Sequence, residues 1–225
     1  GEPLSRRGYR KIPLRAPMQE TLSAAVIIAS GWDRNSHFIN PMCGSGTLAI
    51  EAALYALNRP PGLLRDNFGF LHVQGFDKAQ WEQMRKAAKA ALQKTLTQKI
   101  IATDISREAI EAAQKNADTA GVKHLIDFSV CEFSETPVPE GKGVIILNPG
   151  YGERMGEMKK LERTYEEIGD FFKQKCRGYT GFIFTGNLEL AKKVGLRAKR
   201  RIPFFNGSIE CRLLEYELYE GSRGK

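Results

Sequence analysis

The chain reads as an α/β fold: a doubly wound, mostly parallel sheet with one antiparallel strand. Three observations carry that reading. Short apolar, β-compatible runs alternate with helix-forming segments along most of the 225 residues, the pattern of repeated βα units. One such transition, Phe38 to Ala53, passes through a glycine-bearing turn straight into strong helix formers. The last two apolar runs are joined by Asn206-Gly207, a hairpin signal that makes one strand antiparallel.

Residues 1–17 carry Arg6, Arg7, Arg10, Lys11 and Arg15 among prolines. They read as a basic, extended arm or linker ahead of a domain over residues 18–225. Met18 to Gly31 is predicted as a helix, because Leu22, Ala25, Val26 and Ala29 recur at helical spacing and Gly31 stops it. Ser36 to Asn40 is the first central strand and Ser45 to Leu57 its helix, with Ser45 and Thr47 as candidate caps. Arg59-Pro60-Pro61-Gly62 breaks that helix and opens an insertion over residues 58–98. It holds an irregular aromatic part (Phe68, Phe70, Phe76) and an amphipathic helix from Ala79 to Leu96.

Strand and helix then alternate again. Lys99 to Thr103 is a strand ending at Asp104, and Ser106 caps a helix to Ala120 that Gly121 terminates. Ile126 to Val130 and Gly143 to Leu147 are the third and fourth strands, and Leu161 to Lys175 is a helix. Thr180 to Phe184 is the fifth strand and Leu188 to Val194 a short helix. Lys199 to Phe205 and Glu210 to Tyr219 are the last two strands.

A net charge of +8 favours a polyanionic partner. The cations gather in the first fifteen residues and again from Lys192 to Arg201, a distribution that suits nucleic-acid contact. No long apolar run and no secretory pattern occurs, so a cytoplasmic protein without a membrane span is expected. Cys43, Cys131, Cys176 and Cys211 form no C-x-x-C pair and there are three histidines. Reduced thiols are expected, and no metal site.

The turn Gly44-Ser45-Gly46 is not followed by Gly-Lys-Ser/Thr, so it is no phosphate loop, and it lacks the third glycine of a dinucleotide fingerprint. Its glycines let the backbone approach a ligand, and the N–H groups of the helix start face an anionic or carboxylate-bearing small molecule. Alone, it reads equally well as a plain strand-to-helix turn. In such sheets ligands bind beyond the carboxyl ends of the strands, where Asn40, Asp104, Glu132 and Asn148 are predicted. Asp104 suits two ribose hydroxyls, since a carboxylate accepts two hydrogen bonds at once. Ile105 could cover one adenine face and Glu132 could take the adenine amino group.

Asn148-Pro149-Gly150-Tyr151 ends another apolar run. An exocyclic amine on a base is a poor nucleophile because its lone pair is delocalised into the ring. Accepting its two N–H bonds, on the Asn148 side-chain oxygen and the Pro149 carbonyl, frees that lone pair, while Tyr151 stacks on the base. Alignment then supplies most of the gain, and the base must be flipped out or single-stranded. The pair of motifs points to S-adenosylmethionine-dependent methyl transfer onto an amino nitrogen.

Asn40-Pro41-Met42-Cys43-Gly44-Ser45-Gly46-Thr47, followed by Ile50-Glu51-Ala52-Ala53, resembles the motif of the THUMP-associated RNA guanine-N2 methyltransferases, in particular the bacterial 23S ribosomal RNA type. Gly1 to Arg10, Ala16 to Leu22 and Asn148 to Arg154 are similar to that family as well. The resemblance implies a seven-stranded Rossmann-like methyltransferase domain, S-adenosylmethionine as donor and guanine N2 in structured RNA, 23S rRNA above all, as acceptor. It also implies an N-terminal THUMP domain in the full-length protein, this chain being its catalytic part. By the same likeness Asn40, Pro41, Met42, Cys43, Gly44, Ser45, Gly46 and Thr47 hold the methionine half of the cofactor, with Thr21 nearby. Arg154 reaches RNA or forms an internal ion pair. Arg6, Arg7, Arg10, Lys199 and Arg200 are further candidates for RNA contact.

Two positions depart from the family pattern. Asn40 stands where aspartate is usual, and Gly150 replaces the second proline of Asn-Pro-Pro-Tyr. Other acceptors that share the signature are adenine N6 and a protein glutamine amide. A non-catalytic RNA-binding module is the alternative from another class.

Overall fold

The computed structural model describes residues 3–12, 18–150 and 158–219. Seven strands form one sheet: β1 (His37–Pro41), β2 (Ile100–Asp104), β3 (Ile126–Val130), β4 (Gly143–Leu147), β5 (Thr180–Thr185), β6 (Arg200–Asn206) and β7 (Ile209–Glu217). Their order is β3-β2-β1-β4-β5-β7-β6. Only β7 runs against its neighbours, pairing antiparallel with both β5 and β6. The helices are α1 (Glu20–Ala29), α2 (Thr47–Ala56), α3 (Lys78–Ala90), α4 (Arg107–Thr119), α5 (Met158–Lys175) and α6 (Leu188–Lys192).

Alternation along the strands explains the two helical layers. Phe38, Ile100, Val144 and Phe182 pack with α1, α2 and α4 on one face. Their neighbours Ile39, Ile101, Ile145 and Ile183 pack with α5 and α6 on the other. The central strands are therefore buried on both faces, which is why they read as unbroken apolar runs. The chain winds outward from β1 in one direction and from β4 in the other, so the topological switch point lies between these two strands.

Three differences from the sequence reading have local causes. The insertion helix α3 stops at Ala90 instead of Leu96, because Gln93 N donates to the Leu57 carbonyl at 2.9 Å. Asn58 Nδ2 adds a bond to the Ala91 carbonyl at 3.2 Å, and together they draw the segment back to the end of α2. No side chain caps α2, whose N-cap is Gly46 in the left-handed region; Ser45 and Thr47 are turned inward and buried instead.

Residues 3–12, expected as an extended arm, pack onto the domain. Glu51, the one charge on apolar α2, lies 4% exposed and needs partners. Tyr9 supplies its hydroxyl at 2.9 Å, and Arg7 Nε sits 2.9 Å from the same carboxylate oxygen, off the line of its N–H and so as a charge contact. Among the described residues no helix is long and apolar enough to cross a membrane.

Candidate functional site at the switch point

The parallel strands β1, β2, β3 and β4 end at one rim. Asn40, Asp104, Glu132 and Asn148 all lie at that rim, within two residues of a strand end. The β1–β4 ladder runs only from His37↔Gly143 to Ile39↔Ile145, and the strands part beyond it. There Asn40, 1% exposed, bridges them: its Nδ2 donates to the Ile146 carbonyl at 2.9 Å, two residues before Asn148. An aspartate could not make that donation. The Asn40 Oδ1 is left buried without a partner among the described residues, an acceptor open to a ligand's N–H.

The turn after β1 is built for close approach. Met42, Gly44 and Gly46 all have positive φ, at 55°, 54° and 81°, and Met42 is the strained member because it carries a side chain. Cys43 N donates to the Thr103 carbonyl and Gly46 N to the Cys43 carbonyl, both at 2.9 Å, which fixes the turn against β2. Burial, and secondarily the nearby Asp104 charge, raises the Cys43 thiol far above its ordinary range, so it stays neutral and serves as packing. Since no side chain caps α2, its first N–H groups remain available to an anion.

Asp104 is oriented from two sides. Its Oδ2 accepts from Gly44 N at 2.9 Å and its Oδ1 from Ser106 N at 3.0 Å. Each oxygen keeps a second lone-pair direction. Ile105, beside it, is 64% exposed, and Glu132 is exposed just past β3.

Asn148 is half-buried, Pro149 buried and Gly150 exposed at the end of β4. Gly150 is outside the left-handed region, and among the described residues a Cβ there would meet only Leu161 Cδ2, at 3.5 Å. Tyr165, on α5 and wholly buried, shares a 2.7 Å hydrogen bond with Thr185 Oγ1 and reaches the Gly150 carbonyl at 3.4 Å. Its hydroxyl therefore bears on the turn where proline is absent. Tyr151 and Arg154 lie outside the described residues.

The remaining candidates divide. Thr21 is exposed in the first turn of α1, and Pro41 and Met42 continue the rim from β1. Arg7 and Arg10 face inward: Arg10 Nη2 donates to Thr47 Oγ1 at 3.1 Å and lies 3.4 Å from Glu20. Arg6 is exposed. Lys199 and Arg200 sit at the start of β6, the opposite rim of the sheet, and pair with Glu217 and Glu215. They do not join the others.

One organising residue escaped the sequence reading. Asn116 on α4 is fully buried. Its Oδ1 accepts from Lys11 N at 2.9 Å and Ile12 N at 3.1 Å, and its Nδ2 donates to the carbonyls of Ile12 and Ser45, both at 3.2 Å. It thus ties the N-terminal segment to the glycine turn. The available signal was a single amide on an otherwise apolar helix face of Ala109, Ile110, Ala112, Ala113 and Ala117.

Comparison with known proteins finds a matching family model and solved structures of the same fold. Residues 7–215 match the family model described as the RMKL-like methyltransferase domain, UPF0020. The chain is 40% identical over 219 residues to slr0064 of Synechocystis, named provisionally as an RNA methyltransferase, covering 97% of this chain and 57% of that protein. It is 41% identical over 223 residues to the ribosomal RNA large subunit methyltransferase K/L of Psychromonas ingrahamii, covering 97% of this chain and 30% of that protein. The crystal structure of SMU.472, complexed with SAH, superposes with a TM-score of 0.88 at 31% identity, over 99% of this chain and 57% of that one. The chain thus spans 30–57% of the length of these three proteins.

Proposed function

This chain belongs to the RMKL-like methyltransferase domain family, and from that premise we propose that it methylates the exocyclic N2 amine of a guanine in structured RNA, with S-adenosylmethionine as donor and 23S rRNA as the favoured substrate. The observation that carries the reading is the Asn40 bridge. It couples the glycine turn to the strand that leads into Asn148-Pro149, so a donor bound at one and an amine bound at the other would meet.

The residues present fit the cofactor. The unpartnered Asn40 Oδ1 suits the ammonium of its methionine end, and the uncapped start of α2 suits the carboxylate. Asp104, held by Gly44 and Ser106, offers its free lone pairs to the ribose hydroxyls, with Ile105 and Glu132 toward the adenine. When bound, the cofactor supplies an electrophilic sulfonium methyl. Asn148 and the Pro149 carbonyl accept the two N–H bonds of the target amine, orient its lone pair and leave the amine proton to pass to water after transfer. Tyr151, by its position in the motif, stacks on the base. Positioning and fixed dipoles account for the rate without a strong base.

The test is incubation of the chain with RNA and isotopically labelled donor, followed by nucleoside mass spectrometry. Labelled N2-methylguanosine is the expected product. Labelled N6-methyladenosine, or label in protein glutamine, would overturn the acceptor. Absence of label from a chain that still binds S-adenosylhomocysteine and RNA would overturn catalysis by this domain alone.

A further inference from the structure

A cleft of about 520 Å³ opens between the N-terminal segment and the start of α1, lined by Arg6, Gly8, Arg10, Lys11, Gln19 and Glu20 among others. It borders the rim just described, because Arg10 spans from it to Thr47, the first residue of α2. Its charges do not cancel. Glu20 faces Arg10 at 3.4 Å, whereas Arg6 and Lys11 are exposed and enter no ion pair among the described residues.

The wall that carries them is held in place from behind. Asn116 receives Lys11 N and Ile12 N, Tyr9 is bonded to Glu51, and Arg7 lies against the same carboxylate. Two outward cations on a pinned backbone beside a helix start form a concave, preorganised anion site. The ordering of the segment is already met by folding, so it does not weigh against binding.

We propose that this cleft is a phosphate subsite that seats the RNA backbone next to the target nucleotide, with Arg6 and Lys11 as its charged contacts. Arg7 and Arg10 are positioning residues that hold the wall. This rests on the reading of the rim as an RNA methylation site. A base turned into the rim leaves its flanking phosphates at the surface, and phosphate contacts fix register without reading sequence.

The experiment measures binding of a stem-loop RNA to the whole chain across a salt series, with S-adenosylhomocysteine titrated separately. For the double variant Arg6→Ala with Lys11→Ala, RNA affinity is expected to fall roughly five- to twentyfold near 100 mM salt, with the salt slope reduced by about 1.4–1.8 for two lost phosphate contacts. Affinity for S-adenosylhomocysteine should be unchanged. The charge-preserving pair Arg6→Lys with Lys11→Arg should bind RNA nearly as wild type, which guards against a folding defect. A control pair on the insertion, Lys86→Ala with Lys94→Ala, should change RNA affinity less than about twofold.

Unchanged RNA affinity in the first pair would overturn the subsite, as would an equal loss in the control pair, which would mean a general effect of net charge. Weaker S-adenosylhomocysteine binding with RNA binding intact would assign the cleft to the cofactor carboxylate instead. The RNA readout does not depend on turnover. A chain that methylates nothing yet loses RNA in the first pair would leave the subsite standing while the proposed function fell.

Discussion

At the scale of single residues, Glu51 is the most exacting case. Burial pushes its carboxyl up to about 7, against the opposing pull of Arg7 and the Tyr9 hydroxyl. The folded protein thus holds this proton more tightly than the unfolded chain does. The resulting stability is full below the unfolded value of 4.5 and is lost as pH rises through about 7, an amount on the order of 3 kcal/mol. Glu51→Gln keeps the shape and cannot ionise. Its stability relative to wild type, from denaturant midpoints, should therefore improve by on the order of 2–3 kcal/mol between pH 5 and pH 8. A difference that stays constant across that range would contradict the assignment. Asn40 and Asn116 make the same point without charge: each is a polar side chain in an apolar setting whose bonds join segments far apart in sequence.

At the scale of elements, the glycine turn sets how closely α2 approaches α4. A Cβ on Gly46 would stand 2.8 Å from Ala113 Cβ and 3.2 Å from its Cα, at a φ of +81°. One on Gly44, at +54°, would meet nothing within 4 Å among the described residues. Gly44→Ala should cost only the left-handed penalty, about 1–2 kcal/mol. Gly46→Ala adds overpacking of about 1–3 kcal/mol, so its urea midpoint should be clearly the lower of the two. Equal losses would contradict the close helix packing.

The sequence pattern made the turn itself plain, because glycines between an apolar strand and a helix have few other uses. It could not reveal the reason for Gly46, since Ala113 belongs to a helix beyond the insertion. The premature end of α3 was equally hidden. Its helical periodicity continues past Ala90, and a tertiary bond to the Leu57 carbonyl overrides it. The packing of the N-terminal segment was likewise hidden, because basic residues among prolines resemble a linker, while the acceptors that bond it, Glu51 and Asn116, lie on α2 and α4.

At the scale of the whole molecule, the parallel run of the first five strands follows from the alternating βα pattern, and the terminal hairpin supplies the one antiparallel strand. The methyltransferase family suggested by the Asn40–Thr47 and Asn148–Arg154 motifs is the family the chain belongs to. What charge counting could not do was sort the cations. Lys199 and Arg200 begin β6 at the far rim, paired with Glu217 and Glu215, while Arg6 and Lys11 stand beside the site. Sheet direction decides this, and it emerges only once the order of the strands is known.

On the proposed reading, the parting of β1 and β4 forms one donor site, closed by Asp104 from β2. Calorimetric titration of S-adenosylhomocysteine into the wild-type chain and into Asp104→Ala tests it most directly. One equivalent should bind to wild type, and the substitution should weaken binding about tenfold or more, the loss of charge-assisted hydrogen bonds. No binding to wild type, or equal affinity in the two proteins, would contradict the account.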